Sequence, residues 1–201
     1  AIASGGDALS VCESMAPGPA RNALDCALWD LEAKLAGKPV WQLAGLAEPK
    51  PLITAYTLSL DSAEAMGAAA AKASHRPLLK LKLGTPGDAE RLAAIRANAP
   101  QSRLIVDANE GWKPEELPGI FAACKQYGVE LVEQPLPAAA DEALRHVARP
   151  IAICADESAH DRDGLAELVG KYDAINIKLD KTGGLTEALL MTTEARAAGF
   201  S

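Results

Sequence analysis

Six short β-rich runs, each followed by a segment of helix-forming composition, constrain this chain more than any other feature of its sequence. The runs cover residues 52–60, 78–83, 103–107, 130–133, 151–156 and 174–179, and the helical patterns cover 63–73, 89–97, 114–127, 141–147, 162–169 and 185–198. Repetition of strand then helix implies a parallel sheet, because parallel neighbours need a crossover and a helix is the usual one. An open doubly wound sheet would normally carry G-x-G-x-x-G after its first strand, and no such sequence occurs. The expected class is therefore α/β, built as a TIM-type (β/α) barrel. Six units are too few to close eight strands, so at least two more strands are expected beyond Ser201. Ahead of the alternation, Pro17-Gly18-Pro19 punctuates the start. Leu24, Leu28, Leu31 and Leu35 then recur at helical spacing until Gly37 and Pro39 stop the pattern.

Composition narrows the function. With 49% hydrophobic and 23% charged residues the chain can bury a sizeable core. A net charge of -7 leaves no basic surplus to neutralise phosphates, which argues against nucleic acid or an anionic membrane as partner. Apolar stretches are broken by lysine within a few residues, and Ala1-Ile2-Ala3-Ser4 has no basic, apolar leader pattern, so a cytoplasmic protein acting on a small molecule is expected. Cys12, Cys26, Cys124 and Cys154 form no C-x-x-C pair and read as reduced, buried thiols. His75, His146 and His160 lack ligand spacing, so a zinc site is not expected. Trp29 and Trp41 read as packing residues.

The chemistry lies at the ends of the runs. Lys82, Asp107, Glu133, Asp156 and Lys178 sit at or near the carboxyl ends of five successive strands, the face on which a (β/α) barrel builds its active site. Three carboxylates from consecutive strands offer the oxygen-only, strongly negative surroundings that suit Mg²⁺. The flanking lysines would face a substrate carbon from opposite sides, and a nearby cation would lower a lysine pKa toward that of a working base. Each residue alone has a plainer reading. Asp107 or Asp156 could cap a helix, Lys80 and Lys82 could line a solvated edge strand, and Lys178 and Lys181 could be surface charges beside Gly183-Gly184.

Taken together, Lys80-Leu81-Lys82, Asp107-Ala108-Asn109, Glu133-Gln134-Pro135, Asp156-Glu157-Ser158 and the Lys178 strand occur in an order that resembles the muconate-lactonizing subgroup of the enolase superfamily. Within the subgroup, Tyr56-Thr57-Leu58-Ser59 and Asn176-Ile177-Lys178-Leu179-Asp180-Lys181 are most similar to the dipeptide (L-Ala-D/L-Glu) epimerases. The resemblance runs from about Gly18 to Ser201. It implies a modified (β/α)7β barrel, with residues 1–50 the end of an α+β capping domain and 51–201 a partial barrel. It further implies that Asp107, Glu133 and Asp156 bind Mg²⁺ and that Lys82 and Lys178 are the two acid/base catalysts. Thr57 and Lys80 would contact substrate, and Asn109 and Glu157 would orient the ligands. The implied reaction is 1,1-proton transfer on a dipeptide through an enediolate, in murein peptide metabolism. Another subgroup reaction (cycloisomerisation, o-succinylbenzoate synthesis or N-acylamino acid racemisation) and a non-catalytic binding module are the alternatives. A cap loop and an Asp-x-Asp that the family uses for recognition lie outside these residues, which leaves dipeptide preference open; homo-oligomerisation is not decided by the sequence.

Overall fold

A computed structural model describes residues 8–201, and the leader reading of Ala1 to Ser4 lies outside them. The chain forms two compact units, one of Ala1–Leu52, His160–Leu165 and Ile177–Ala198, the other of Ile53–Ala159, Ala166–Asn176 and Gly199–Ser201.

The second unit holds a six-stranded parallel sheet, β1 (Tyr56–Leu58), β2 (Leu78–Lys82), β3 (Arg103–Asp107), β4 (Val129–Glu133), β5 (Ala152–Ala155) and β6 (Ala174–Ile175), with the strands in sequence order across it. A doubly wound sheet reverses order at a switch point, whereas sequential order is that of a barrel wall. Helices α4 (Ala63–Ala73), α5 (Asp88–Asn98) and α6 (Leu117–Gln126) follow the first three strands as expected. Leu79, Leu81, Leu104, Val106, Val132 and Ile153, on one sheet face, are fully buried. On the other face lie the alternate residues, among them Lys80, Lys82, Asp107 and Glu133.

A register irregularity between Leu104 and Ile105 aligns this second face. Leu104 pairs with Val129 but Ile105 pairs with Leu131, so β4 carries one extra residue and Asp107 comes opposite Glu133. Without that skip Asp107 would meet Val132, and the two carboxylates would point to opposite sides.

Three stretches depart from expectation. Residues 141–147 form no α-helix. Two 3₁₀ turns, Ala138–Ala140 and Glu142–Arg145, stand there, because the buried Asp141 side chain is drawn to Lys171 and Tyr172 and its backbone sits at φ −93°, ψ 5° between the turns. The run 174–179 pairs only at Ala174–Ile175, and the run 52–60 only at Tyr56–Leu58, which has one described neighbour strand. The pattern over 162–169 gives only α7 (Leu165–Leu168).

In the first unit, α1 (Ala8–Glu13) and α2 (Pro19–Ala36) are followed by α3 (Val40–Leu43), and α8 (Leu179–Thr182) and α9 (Leu185–Ala197) come from late in the chain. Gly37, in a left-handed conformation, ends α2 as its position predicts. The leucine stripe of α2 is less buried than its spacing suggests: Leu31 is 52% and Leu35 80% exposed, and Asp25 is buried instead. Asp25 accepts from Thr186 N at 3.1 Å and Thr186 Oγ1 at 2.6 Å, so a side chain of α2 caps the N-terminus of α9. The contact requires Gly184, at φ 131°, because a Cβ there would lie 2.4 Å from Asp25 Oδ2. No helix among the described residues is long and apolar enough to cross a membrane.

Candidate active site

Strand alternation brings the charged side chains together. In β2 the leucines at 79 and 81 are buried on the helix side, which turns Lys80 and Lys82 to the other face. There Lys80 Nζ lies 2.6 Å from Glu133 Oε2 and 2.9 Å from Asp107 Oδ2, and Lys82 Nζ lies 2.7 Å from the same Asp107 oxygen. Asp156 follows β5 by one residue. Asp107, Glu133 and Asp156 are all buried, and each offers an oxygen within 4.8 Å of the others.

Three buried carboxylates so close repel one another and lose hydration, a cost that persists only where cations compensate. Burial opposes the charge of Asp107, but hydrogen bonds from Lys82 and Lys80 outweigh it and hold its pKa below the ordinary value. At Lys80 burial works to lower the pKa, but hydrogen bonds to Glu133 and Asp107 outweigh it and raise it. Glu133 moves the other way: burial, reinforced by the charge of Asp107, raises its pKa in spite of Lys80. The ammonium groups of Lys80 and Lys82 offset part of the negative charge of the cluster. Beside it, Glu157 Oε2 is buried and has no hydrogen-bond partner among the described residues.

This donor set fits a hard divalent cation. It is all oxygen and anionic, and its 4.8 Å spread is only slightly wider than the about 4.2 Å that opposite ligands of Mg²⁺ span at about 2.1 Å each. Cys154, in register with Glu133, adds no thiolate, because burial and the neighbouring carboxylates push its thiol up to about 12.

The loops beyond the strands hold this arrangement. Asn109 and Glu110, at φ 43° and 64°, turn the chain sharply after β3, and Asn109 tolerates the left-handed conformation well. Asn109 Oδ1 then accepts from Lys82 Nζ at 2.6 Å and its Nδ2 donates to Glu157 Oε1 at 3.1 Å, so Asn109 links the expected lysine to the expected helper carboxylate. Thr57 on β1 is exposed and pairs in register with Lys80. Lys178, exposed, occupies the N-cap position of α8 in the other compact unit. The structure thus gathers Lys80, Lys82, Asp107, Glu133, Asp156, Asn109 and Glu157, with Thr57 beside Lys80. A hollow of about 360 Å³ between the loops after β2 and β3, lined by Thr85, Pro86, Trp112 and Lys113, shares none of these residues.

Two neighbours of the cluster escaped the sequence reading. Asn176 Nδ2 donates to Glu133 Oε1 at 2.9 Å, and its place two residues before Lys178 was the available signal. Gln134, inside the quoted Glu133-Gln134-Pro135, is fully buried at φ 38° and hydrogen-bonds to both strand ends beside it.

Residues 62–201 match the family described as Enolase C-terminal domain-like, and residues 11–45 match the mandelate racemase / muconate lactonizing enzyme N-terminal domain. The L-Ala-D/L-Glu epimerase of Escherichia coli (strain K12) is 49% identical over 189 residues, covering 92% of this chain and 58% of the relative. An enolase family member from Agrobacterium tumefaciens with homology to dipeptide epimerases, solved with bound sodium and L-Ala-L-Glu, superimposes with a TM-score of 0.94 at 50% identity, over 99% of this chain and 61% of that one. The dipeptide epimerase from Enterococcus faecalis V583, complexed with Mg and the dipeptide L-Leu-L-Tyr, gives a TM-score of 0.86 at 36% identity, covering 94% and 56%. The chain therefore spans 58% of the length of the E. coli relative.

Proposed function

Because this chain belongs to the enolase superfamily, with both the mandelate racemase / muconate lactonizing enzyme N-terminal domain and the enolase C-terminal domain-like barrel, we propose that the whole protein epimerises a dipeptide of the L-Ala-L-Glu type. The observation that carries this reading is the buried Asp107, Glu133 and Asp156 trio with the ammonium of Lys82 at its edge. The named activity of the 49% identical relative and the dipeptide in the superimposed structure support the substrate class.

In this reading Asp107, Glu133 and Asp156 hold Mg²⁺. When bound, the ion would supply positive charge to offset the negative charge that builds on the substrate carboxylate as the α-proton leaves. Lys82 removes or returns the proton on the α-carbon of the C-terminal residue from one face, and Lys178 serves the other. Lys82 is suited to this work because Asn109 and Asp107 aim its amine. Lys80 and Thr57, neighbours across β1 and β2, bind the substrate, Lys80 at its carboxylate. Asn109 and Glu157 steady Lys82 and the acidic cluster through their mutual hydrogen bond. Residues 1–50 form the end of the capping domain and 51–201 part of the barrel, a division that the two matched regions support.

The test is solvent-deuterium incorporation by the full-length protein with Mg²⁺ and L-Ala-L-Glu or L-Ala-D-Glu. The α-position of Glu is expected to exchange with either epimer. Lys82→Ala and Lys178→Ala should each abolish epimerisation while leaving exchange of one epimer's proton. Normal epimerisation in either variant contradicts the assignment.

A further inference from the structure

A second buried polar cluster lies beside the acidic trio, centred on an amide. Gln134 Oε1 accepts from the backbone N–H of Asp156 at 2.9 Å and of Ser158 at 3.1 Å. Its Nε2 donates to Leu136 O at 2.9 Å, Ser158 Oγ at 2.8 Å and Tyr172 OH at 2.9 Å. The backbone N–H of Gln134 donates to Cys154 O at 2.9 Å, and its carbonyl accepts from Glu110 N at 2.9 Å. One residue thus ties the end of β4, where Glu133 stands, to the segment after β5 that carries Asp156 and to the loop after Asp107.

An amide can sit in two orientations, and only one serves this purpose. Backbone groups make that choice, since the N–H groups of Asp156 and Ser158 only donate and Leu136 O only accepts, and the groups further out reinforce it. Asp141, 3% exposed, accepts from Ser158 Oγ at 2.9 Å and Tyr172 OH at 2.7 Å on one oxygen, and from Lys171 Nζ at 2.6 Å on the other. Because both hydroxyls donate to the carboxylate, each turns a lone pair back toward Gln134. Those lone pairs accept from the NH₂ that the backbone has already turned their way, so the hydroxyls hold the amide in place with Oε1 against the N–H groups of Asp156 and Ser158. The reversed amide would set its oxygen against two hydroxyl oxygens and its NH₂ against two N–H groups.

We propose that Asp141 is a positioning residue for the metal centre: through Ser158, Tyr172 and Gln134 it fixes where Asp156 stands relative to Glu133, and so sets the affinity for a divalent cation. The inference rests on the reading of Asp107, Glu133 and Asp156 as the cation's ligands. Asp141 lies eight residues beyond Glu133 and touches none of the three. Removing such an outer partner of a metal site costs about 10- to 100-fold in affinity.

The experiment is calorimetric titration of Mn²⁺ and of Mg²⁺ into the full-length protein, with thermal unfolding of each metal-free variant. Asp141→Asn is expected to weaken both metals by at least about 10-fold. Arg96→Ala, which breaks hydrogen bonds at the opposite strand ends, should leave the Kd within about 2-fold at a similar loss of Tm. An Asp141→Asn affinity within about 2-fold of the parent overturns the proposal, and so does an equal weakening in Arg96→Ala, which would mark general destabilisation. If Asp141→Asn does not fold, Tyr172→Phe decides, since it keeps the ring and deletes one link. A weakening of about 3-fold or more supports the chain of contacts, and unchanged affinity overturns it. Asp107→Asn separates the two readings. Unchanged metal binding there overturns the ligand assignment itself and the proposal with it, whereas lost binding there with normal binding in Asp141→Asn overturns the proposal alone.

Discussion

The two ends of the parallel sheet both bury polar groups, and they do so in opposite ways. At the N-terminal ends of β3 and β4, the guanidinium of Arg96 donates to the carbonyl oxygens of Tyr127, Ala99, Pro100, Ser102 and Gly128 at 2.8 to 3.3 Å, and Ser102 Oγ donates to Arg76 O at 2.8 Å. Every acceptor there is neutral backbone that the turns leave unpaired. At the C-terminal ends, Asp107, Glu133 and Asp156 crowd like charges within 4.8 Å, and the carboxyl of Glu133 is pushed above its ordinary pKa. Satisfied polar burial of the first kind holds a fold together. Crowding of the second kind works against the fold and marks the place where chemistry is done.

The largest effect should come from the crowded end. Glu133→Gln is expected to lower α-proton exchange by about 10³-fold, the scale of losing a main electrostatic element. Its metal-free Tm should stay level or rise. The sign follows from the raised pKa of Glu133: the fold favours the protonated acid, so ionisation weakens the protein as pH climbs through that pKa, and Gln removes the penalty at neutral pH. A Tm well below the parent's would blur the contrast between the two ends. Arg96→Ala should do the reverse, losing about 2 to 3 kcal/mol of stability to urea while kcat stays near that of the parent. Loss of turnover without loss of stability in that variant would break the comparison.

Much of the crowded end was legible in the chain, because alternation does the placing. Leu79, Leu81 and Leu83 around Lys80 and Lys82 can bury only one face, so the lysines must share the other. A carboxylate at the end of each apolar run falls on the same rim by the same rule. What was not legible depends on contacts distant in sequence. The extra residue in β4 that sets Glu133 opposite Asp107 leaves no local mark. Residues 141–147 have helical composition, yet Asp141 is captured by Lys171 and Tyr172, 30 and 31 residues on, and that pull outweighs propensity. The leucine stripe of α2 shows the converse: spacing predicted the helix correctly, but burial needs a partner surface, and no described segment covers Leu35.

A smaller effect separates the satisfied Asp141 cluster from the crowded one. Burial works to raise the pKa of Asp141, but hydrogen bonds from Lys171, Tyr172 and Ser158 prevail and hold it low. Its ionised form therefore adds stability that is fully present above the unfolded value of about 3.9 and is lost as pH falls through the lowered folded pKa. Urea unfolding of the metal-free protein at pH 6 and pH 3 should show this loss. In Asp141→Asn the difference between the two pH values should shrink. An unchanged difference would mean that the acid limb comes from other carboxylates.

The smallest effect is expected at Cys154, which lies against the acidic cluster without joining it. Its strand register sets it opposite Glu133, but burial and the nearby carboxylates push the thiol up to about 12. At pH 8 the thiol is neutral, and a neutral thiol neither adds a fourth negative charge nor competes with carboxylates for a hard cation. Cys154→Ala should therefore leave the Kd for Mg²⁺ within about 2-fold, and the native protein should resist thiol reagents at this position until it unfolds. A change of about 5-fold or more, or preferential binding of a softer metal that the variant loses, would show that sulfur takes part, and the C-terminal end of the sheet would then be a mixed site in place of an all-oxygen one.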